Sequence, residues 1–150
     1  MALIEIQTQI NADLKTCFDL ARNIDLHKES LKHTGEMPIA GKTTGLLEKG
    51  EWVSWEAKHF GFVQHLTSKI TEFDAPNCFV DEMVLGIFKS FRHEHIFQKK
   101  GDKTIMIDRF HFESPLGFLG KIANVLFLKR YMKNLLLTRN TYLKEQAESI

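Results

Sequence analysis

Phe91-Arg92-His93-Glu94-His95-Ile96-Phe97 reads as a β-strand in which every second residue is a phenylalanine or a histidine. Residues two apart on a strand share a face, so Phe91, His93, His95 and Phe97 point the same way. The flanking segments repeat the pattern. Phe79, Asp81, Met83 and Leu85 alternate in one, and Met106, Asp108, Phe110 and Phe112 in the other. If the large apolar side chains face a core, then Asp81, His93, His95 and Asp108 face it with them. An unpaired buried charge costs several kcal/mol, so these four are expected to neutralise one another in an interior that is partly polar and hollow. A hollow interior implies a ligand.

Turn signals order the strands around this centre. Trp52 to His59 and Phe62 to Phe73 alternate on either side of a tight Phe60-Gly61 turn, and Asp74-Ala75-Pro76-Asn77 turns the chain into Phe79–Leu85. Lys100-Gly101-Asp102 then joins Phe91–Lys99 to Thr104–Phe112. Short turns between alternating segments predict an antiparallel meander. A turn centred on Lys100-Gly101 sets His93 across from Asp108, and His95 across from Met106. A bend near Phe88 sets Asp81 across from His95. The Pro76 turn adds Ile70, Ser68, Leu66 and Gln64 to the same face, and the Phe60-Gly61 turn adds Ala57, Trp55 and Val53.

Outside the meander, Ala2 to Gln9 alternates as a first strand. Asn11 or Asp13 caps a helix reaching about Asn23, and a second short helix fits Ile24 to His33. Thr34 to Gly50 carries four glycines and a proline and is expected to be a long connection with little regular structure. Ser114-Pro115-Leu116-Gly117 stops the last strand, and a helix follows from about Phe118 to Glu148. At 1.5 Å per residue its length is about 46 Å, enough to cross a whole sheet. Leu119, Ile122, Ala123, Leu126, Arg130, Leu137 and Thr138 lie near one stripe of it, while Val125 to Leu128 is apolar all round. Arg130 and Arg139 sit near apolar positions, and each is expected to pair with a carboxylate. The order of elements predicts one α+β domain over residues 1–150: a curved antiparallel sheet of six to seven strands wrapped around a long C-terminal helix, with two short helices after strand 1.

Composition narrows the functional classes. The 12 phenylalanines against 2 tyrosines and 2 tryptophans favour a large greasy interior over a polar recognition surface. A net charge of +1 supplies no field to hold nucleic acid. Lys129, Arg130 and Lys133 interrupt the apolar run of the last helix, so stable membrane insertion is not expected. The start, MALIEIQTQI, lacks the basic region of a secretory signal, and Cys17 and Cys78 form no paired motif. A cytoplasmic protein, monomeric or weakly dimeric, is the expectation. Gly41-Lys-Thr-Thr-Gly45 lacks the leading glycine spacing of a phosphate loop.

The run Ile70-Thr71-Glu72-Phe73-Asp74, Pro76, Phe79-Val80-Asp81-Glu82, Gly86 and Phe91-Arg92-His93-Glu94-His95 carries a family resemblance. Asp108, the Ser114–Gly117 corner and Leu136-Leu137-Thr138-Arg139-Asn140 extend it over essentially the whole chain. Together they resemble a ligand-binding branch of the START/SRPBCC superfamily whose members bear cyclase-like and cell-division-inhibitor-like names. The resemblance implies a helix-grip fold, as in birch-pollen-allergen-like proteins, with a deep hydrophobic cavity between sheet and helix. It implies binding of a lipid, polyketide or similar apolar molecule. No reaction is attached to this branch, so no catalytic residue carries over.

The expected ligand site is Trp55, Leu66, Phe79, Asp81, Met83, Phe91, His93, His95, Met106, Asp108 and Phe110 from the sheet, with Leu119, Ile122 and Leu126 from the helix. Three readings compete for its polar centre. The first is a buried network that fixes register and anchors a ligand's polar end. The second is an enzyme of cyclase or dehydratase type, with His93 and Asp108 as base and orienter. The third is a metal pair at His93 and His95, but Glu94 faces the other way and no third histidine follows, so Asp81 or Asp108 would have to complete it. No metal or other cofactor is therefore expected. Separately, the apolar segment of the last helix offers a surface for a protein partner.

Overall fold

The computed structural model describes residues 2–114 and 118–150, and the side chains of residues 118–125 are outside what it describes. β1 (Ala2–Ile10) is followed by α1 (Leu14–Ala21) and α2 (Ile24–Ser30). Asp13 caps α1 through the Thr16 amide, and the Asn23 side chain accepts from the Leu26 amide to cap α2. β2 (Met37–Gly41), β3 (Trp52–His59), β4 (Phe62–Asp74), β5 (Cys78–Leu85), β6 (Ser90–Lys100) and β7 (Lys103–Glu113) complete one sheet, and α3 (Phe118–Glu148) ends the chain. The strand order is β1-β7-β6-β5-β4-β3-β2, every pair antiparallel. α3 lies against β1, α1 and α2.

The predicted architecture holds, with one addition. The connection after α2 contains β2, which pairs with β3 on one side only. Pro38 and Gly41 obscure this strand in the sequence, yet an edge strand tolerates both because one row of its backbone groups is unpaired.

Register follows the turns. Trp55 stands opposite Leu66, and Ile70 opposite Asp81, which puts them on the one face expected of them. The two hairpins around β6 are displaced by two residues. The turn residues are Gly101 and Asp102, since Lys100 pairs with Lys103, so His95 stands opposite Asp108 and His93 opposite Phe110. Asp81 stands opposite His93 rather than His95. A slip of two preserves the face, because side chains alternate with period two.

The apolar interior divides into two main clusters. Ile10, Cys17, Phe18, Ile70, Phe79, Phe97, Met106 and Leu143 pack beneath α1 at one end. Ile4, Ile6, Phe88, Phe91, Phe110, Phe112 and Leu136 fill the other end of the same face of the sheet. Among the described residues, the buried stripe of α3 is Leu135, Leu136, Arg139, Asn140, Leu143 and Ala147. That corrects the stripe read from the sequence: Leu126 is 69% exposed, and Arg130, Leu137 and Thr138 are exposed too. The true stripe includes Arg139 and Asn140, which are buried because Asp108 of β7 binds both. Cys17 and Cys78 are free thiols.

Candidate functional site

β5, β6 and β7 bring Asp81, His93, His95 and Asp108 together because their alternation is in phase across the three strands. Asp108 lies deepest and is wholly buried. His93 Nε2 lies 2.8 Å from its Oδ1, Arg139 Nη2 donates to the same oxygen at 2.7 Å, and Asn140 Nδ2 donates to Oδ2 at 2.7 Å. Burial alone would raise this carboxyl's pKa, but the Arg139 charge and the His93 hydrogen bond outweigh it and hold the group far below the usual carboxylate range. The Arg139 side chain is itself ordered by hydrogen bonds to Asn140 Oδ1.

His95 is 2% exposed, and its Nε2 lies 2.7 Å from Asp81 Oδ2. Its ring stacks on His93 at a centroid distance of 3.7 Å and on Phe79 at 4.1 Å. Burial, reinforced by the His93 charge, pushes the His95 pKa down to about 4 despite the Asp81 carboxylate. Burial also works to raise the pKa of Asp81, but the hydrogen bond from His95 prevails and lowers it. With Nε2–H donated to Asp81, His95 Nδ1 is left without a hydrogen-bond partner, and Asp108 Oδ1 lies 3.6 Å from it. One potential ligand atom from each of Asp81, His93 and His95 lies within 4.8 Å of the others.

Above this floor lies a cavity of about 150 Å³ walled by Ile24, Val53, Trp55, Leu66, Ile70, Phe79, Phe88, Phe91, Phe110, Met132, Leu135 and Leu136. Asp81, His93, His95 and Arg139 are its polar floor. His27 lines it as well, with its ring 4.6 Å from that of Trp55 and its Nε2 3.3 Å from Glu36 Oε1. A second chamber of about 80 Å³ shares Trp55, His59, Leu66, Phe88, Met132 and Leu135 with the first and extends toward Phe60, Ile87, Leu128 and Tyr131. His59 Nδ1 and the Tyr131 hydroxyl are 2.6 Å apart there, and burial lowers the His59 pKa. The tip of the β3–β4 hairpin forms the outer rim. Phe60 holds a left-handed backbone (φ 56°) beside Gly61 (φ 79°), with its ring 4.5 Å from Tyr131 and 5.3 Å from Phe127. A bulky residue in that conformation is strained, and the aromatic contacts hold it there.

Of the residues expected to form the site, Trp55, Leu66, Phe79, Asp81, Phe91, His93, His95 and Phe110 line the main cavity. Met106 and Asp108 lie behind that wall, because Met106 packs in the α1 cluster and Asp108 is covered by His93 and Arg139. Met83 packs against the Phe88 and Phe91 cluster. Leu126 points into solvent, since the helix stripe turns away from it. The side chains of Leu119 and Ile122, and the Pro115–Gly117 part of the corner, lie outside the described residues. Arg139 has the carboxylate partner expected of it, whereas Arg130 is exposed with no such partner among the described residues. Asn140, His27 and Glu36 carried no periodic signal, because each contributes through a fold-level approach rather than a local pattern. Among the described residues, no helix is long and apolar enough to cross a membrane.

No family model and no curated protein sequence matches the chain. Solved structures do. The TTHA0849 protein of Thermus thermophilus superposes with a TM-score of 0.73 at 16% identity, covering 95% of this chain and 97% of that one. Major latex-like protein 151 of Panax ginseng superposes with a TM-score of 0.70 at 16% identity, covering 97% of each. The di-domain ARO/CYC StfQ of the steffimycin biosynthetic pathway gives 0.71 at 11% identity, over 98% of this chain and 51% of its own. At such identities the likeness is one of fold. The seven-stranded sheet closed on a long terminal helix is shared along nearly the whole chain with these proteins, so the chain adopts the helix-grip fold.

Proposed function

We propose that the protein binds a small hydrophobic molecule, a lipid, polyketide or similar compound, in the crevice between the sheet and α3. The observation that carries this reading is the cavity itself: about 150 Å³, walled by aromatic and aliphatic side chains over a charged floor. Apolar sites with a few convergent polar groups are the usual form of small-molecule pockets. Trp55, Leu66, Phe79, Phe91 and Phe110 contribute apolar burial at roughly 25 cal/mol per Å², and Asp81 and His93 orient a polar end. The second chamber is the way in, between the β3–β4 tip and α3. Organic extraction of the purified protein followed by mass spectrometry tests this. One co-purifying apolar species per chain supports it, and a protein that neither retains such a species nor takes up a fluorescent apolar probe overturns it.

A cyclase- or dehydratase-type enzyme is the second reading, favoured by the 2.8 Å His93–Asp108 pair and the fold shared with an ARO/CYC protein. In it His93, which faces the cavity, is the base. Asp108 is the orienter, because Arg139, Asn140 and His93 already occupy its oxygens. Turnover of the extracted compound separates this reading from simple carriage.

A further inference from the structure

The Asp81, His93 and His95 cluster is poorly explained as a hydrogen-bonded network alone. A network that merely fixes register is stabilising when every member is satisfied. Here His95 Nε2 meets Asp81 Oδ2 at 2.7 Å, while its buried Nδ1 has no hydrogen-bond partner and stands 3.6 Å from Asp108 Oδ1. His93 and His95 both turn one nitrogen toward the same Asp108 oxygen, at 2.8 and 3.6 Å. Asp108 is in turn locked by Arg139 and Asn140. That is the outer-shell arrangement of a metal site, in which a carboxylate accepts the N–H of each ligating imidazole and so fixes which nitrogen offers its lone pair.

We propose that Asp81, His93 and His95 bind one divalent transition-metal ion on the cavity floor, with Asp108 as the carboxylate that orients both imidazoles. With the ion in place, His95 turns its Nε2 lone pair to the metal and its Nδ1–H to Asp108, which gives that nitrogen a partner. His93 donates Nε2–H to Asp108 and ligates through its other nitrogen. Bonds of about 2.0–2.2 Å in a tetrahedral site put ligand atoms roughly 3.3–3.6 Å apart, so a set within 4.8 Å closes by no more than about 1.5 Å, while the Asp81 Oδ2–His95 Nε2 pair, at 2.7 Å, opens by roughly half an ångström. Charge agrees: Asp108 is neutralised by Arg139, which leaves the Asp81 carboxylate to a cation. Two imidazoles and one carboxylate suit zinc or iron(II). All three ligands line the cavity, so the ion's remaining positions open onto the bound molecule. The inference rests on the floor's geometry and holds whichever apolar molecule fills the space above.

Titration of chelator-stripped protein with cobalt(II) chloride, followed by its visible ligand-field absorption, tests the site. The expected result is one ion per chain, an intense low-coordinate spectrum, and displacement by zinc(II). Asp81→Ala is expected to weaken binding at least tenfold and Asp108→Asn about 10–100-fold, while replacing the exposed His33 changes nothing. Should the buried Asp108 variant not fold, zinc(II) added to the wild type must shift the ring-nitrogen resonances of His93 and His95 above those of the other histidines. A spectrum that stays that of the hexaaqua ion overturns the proposal. So does binding that survives Asp81→Ala, or zinc shifts confined to other histidines.

Discussion

The two ends of the crevice between sheet and helix are built on opposite terms. At one end α1 and the C-terminal half of α3 close over Phe18, Phe79, Phe97, Met106 and Leu143, and the phenylalanine rings meet edge to face at 5.4–5.5 Å. At the other end large apolar side chains stand in solvent: Phe60, Phe62 and Val63 on the β3–β4 tip, Val84 and Leu85 at the end of β5, Ile87 just after it, and Leu126 and Phe127 on α3. Exposed apolar surface gathered in one region marks a place where something binds or passes. The closed end holds the fold together, and the open end leaves its apolar surface uncovered.

The sharpest way to break the contrast is at the floor between the ends. Asp108→Ala strands a buried Arg139 and is expected to cost about 3–5 kcal/mol in denaturant unfolding. A loss under ~1 kcal/mol would show that the floor does not tie β7 to α3. Leu143→Ala, at the closed end, is expected to cost about 3 kcal/mol through the cavity it leaves, read by the same measurement.

Acid probes the floor differently. In metal-free protein His95 is neutral when folded, with a pKa of about 4 against 6.5 for the ordinary group. The unfolded chain therefore binds the extra proton first as pH falls, so stability is full above about 6.5 and declines toward 4. Asp81 and Asp108, both lowered, extend the decline below the ordinary carboxylate pKa of 3.8. Melting temperatures measured across this range should fall in that order, and His95→Gln should remove the upper part of the decline only. The smallest effect belongs to the open end. Leu126→Ser and Phe127→Ser are expected to change stability by no more than about 0.5 kcal/mol while altering the uptake rate of an apolar probe in stopped-flow fluorescence.

The contrast was only half visible in the sequence. Alternation placed Asp81, His93, His95 and Asp108 on one face, and that survived a two-residue error in both hairpins because period-two patterning fixes parity before register. Turn placement decides the rest, and Gly101-Asp102 differs from Lys100-Gly101 by a single step that no pattern resolves. On α3 the expected stripe ran through Leu126, Arg130, Leu137 and Thr138, whereas the helix is anchored by Arg139 and Asn140. Those two are buried because Asp108 meets them from another element. Partnership across 31 or 32 residues leaves no local trace.

The bonds from Arg139 and Asn140 to Asp108 also bear on which molecules fit. Sliding or rolling the C-terminal half of α3 would strip two donors from a buried carboxylate, so the helix cannot retreat to admit a bulkier guest. Depth is then a constant of the fold, and width is left to the volume of side chains such as Trp55, Leu66 and Met132. In the proposed binding role, size selectivity is therefore open to retuning by single substitutions on the walls without disturbing the post they surround.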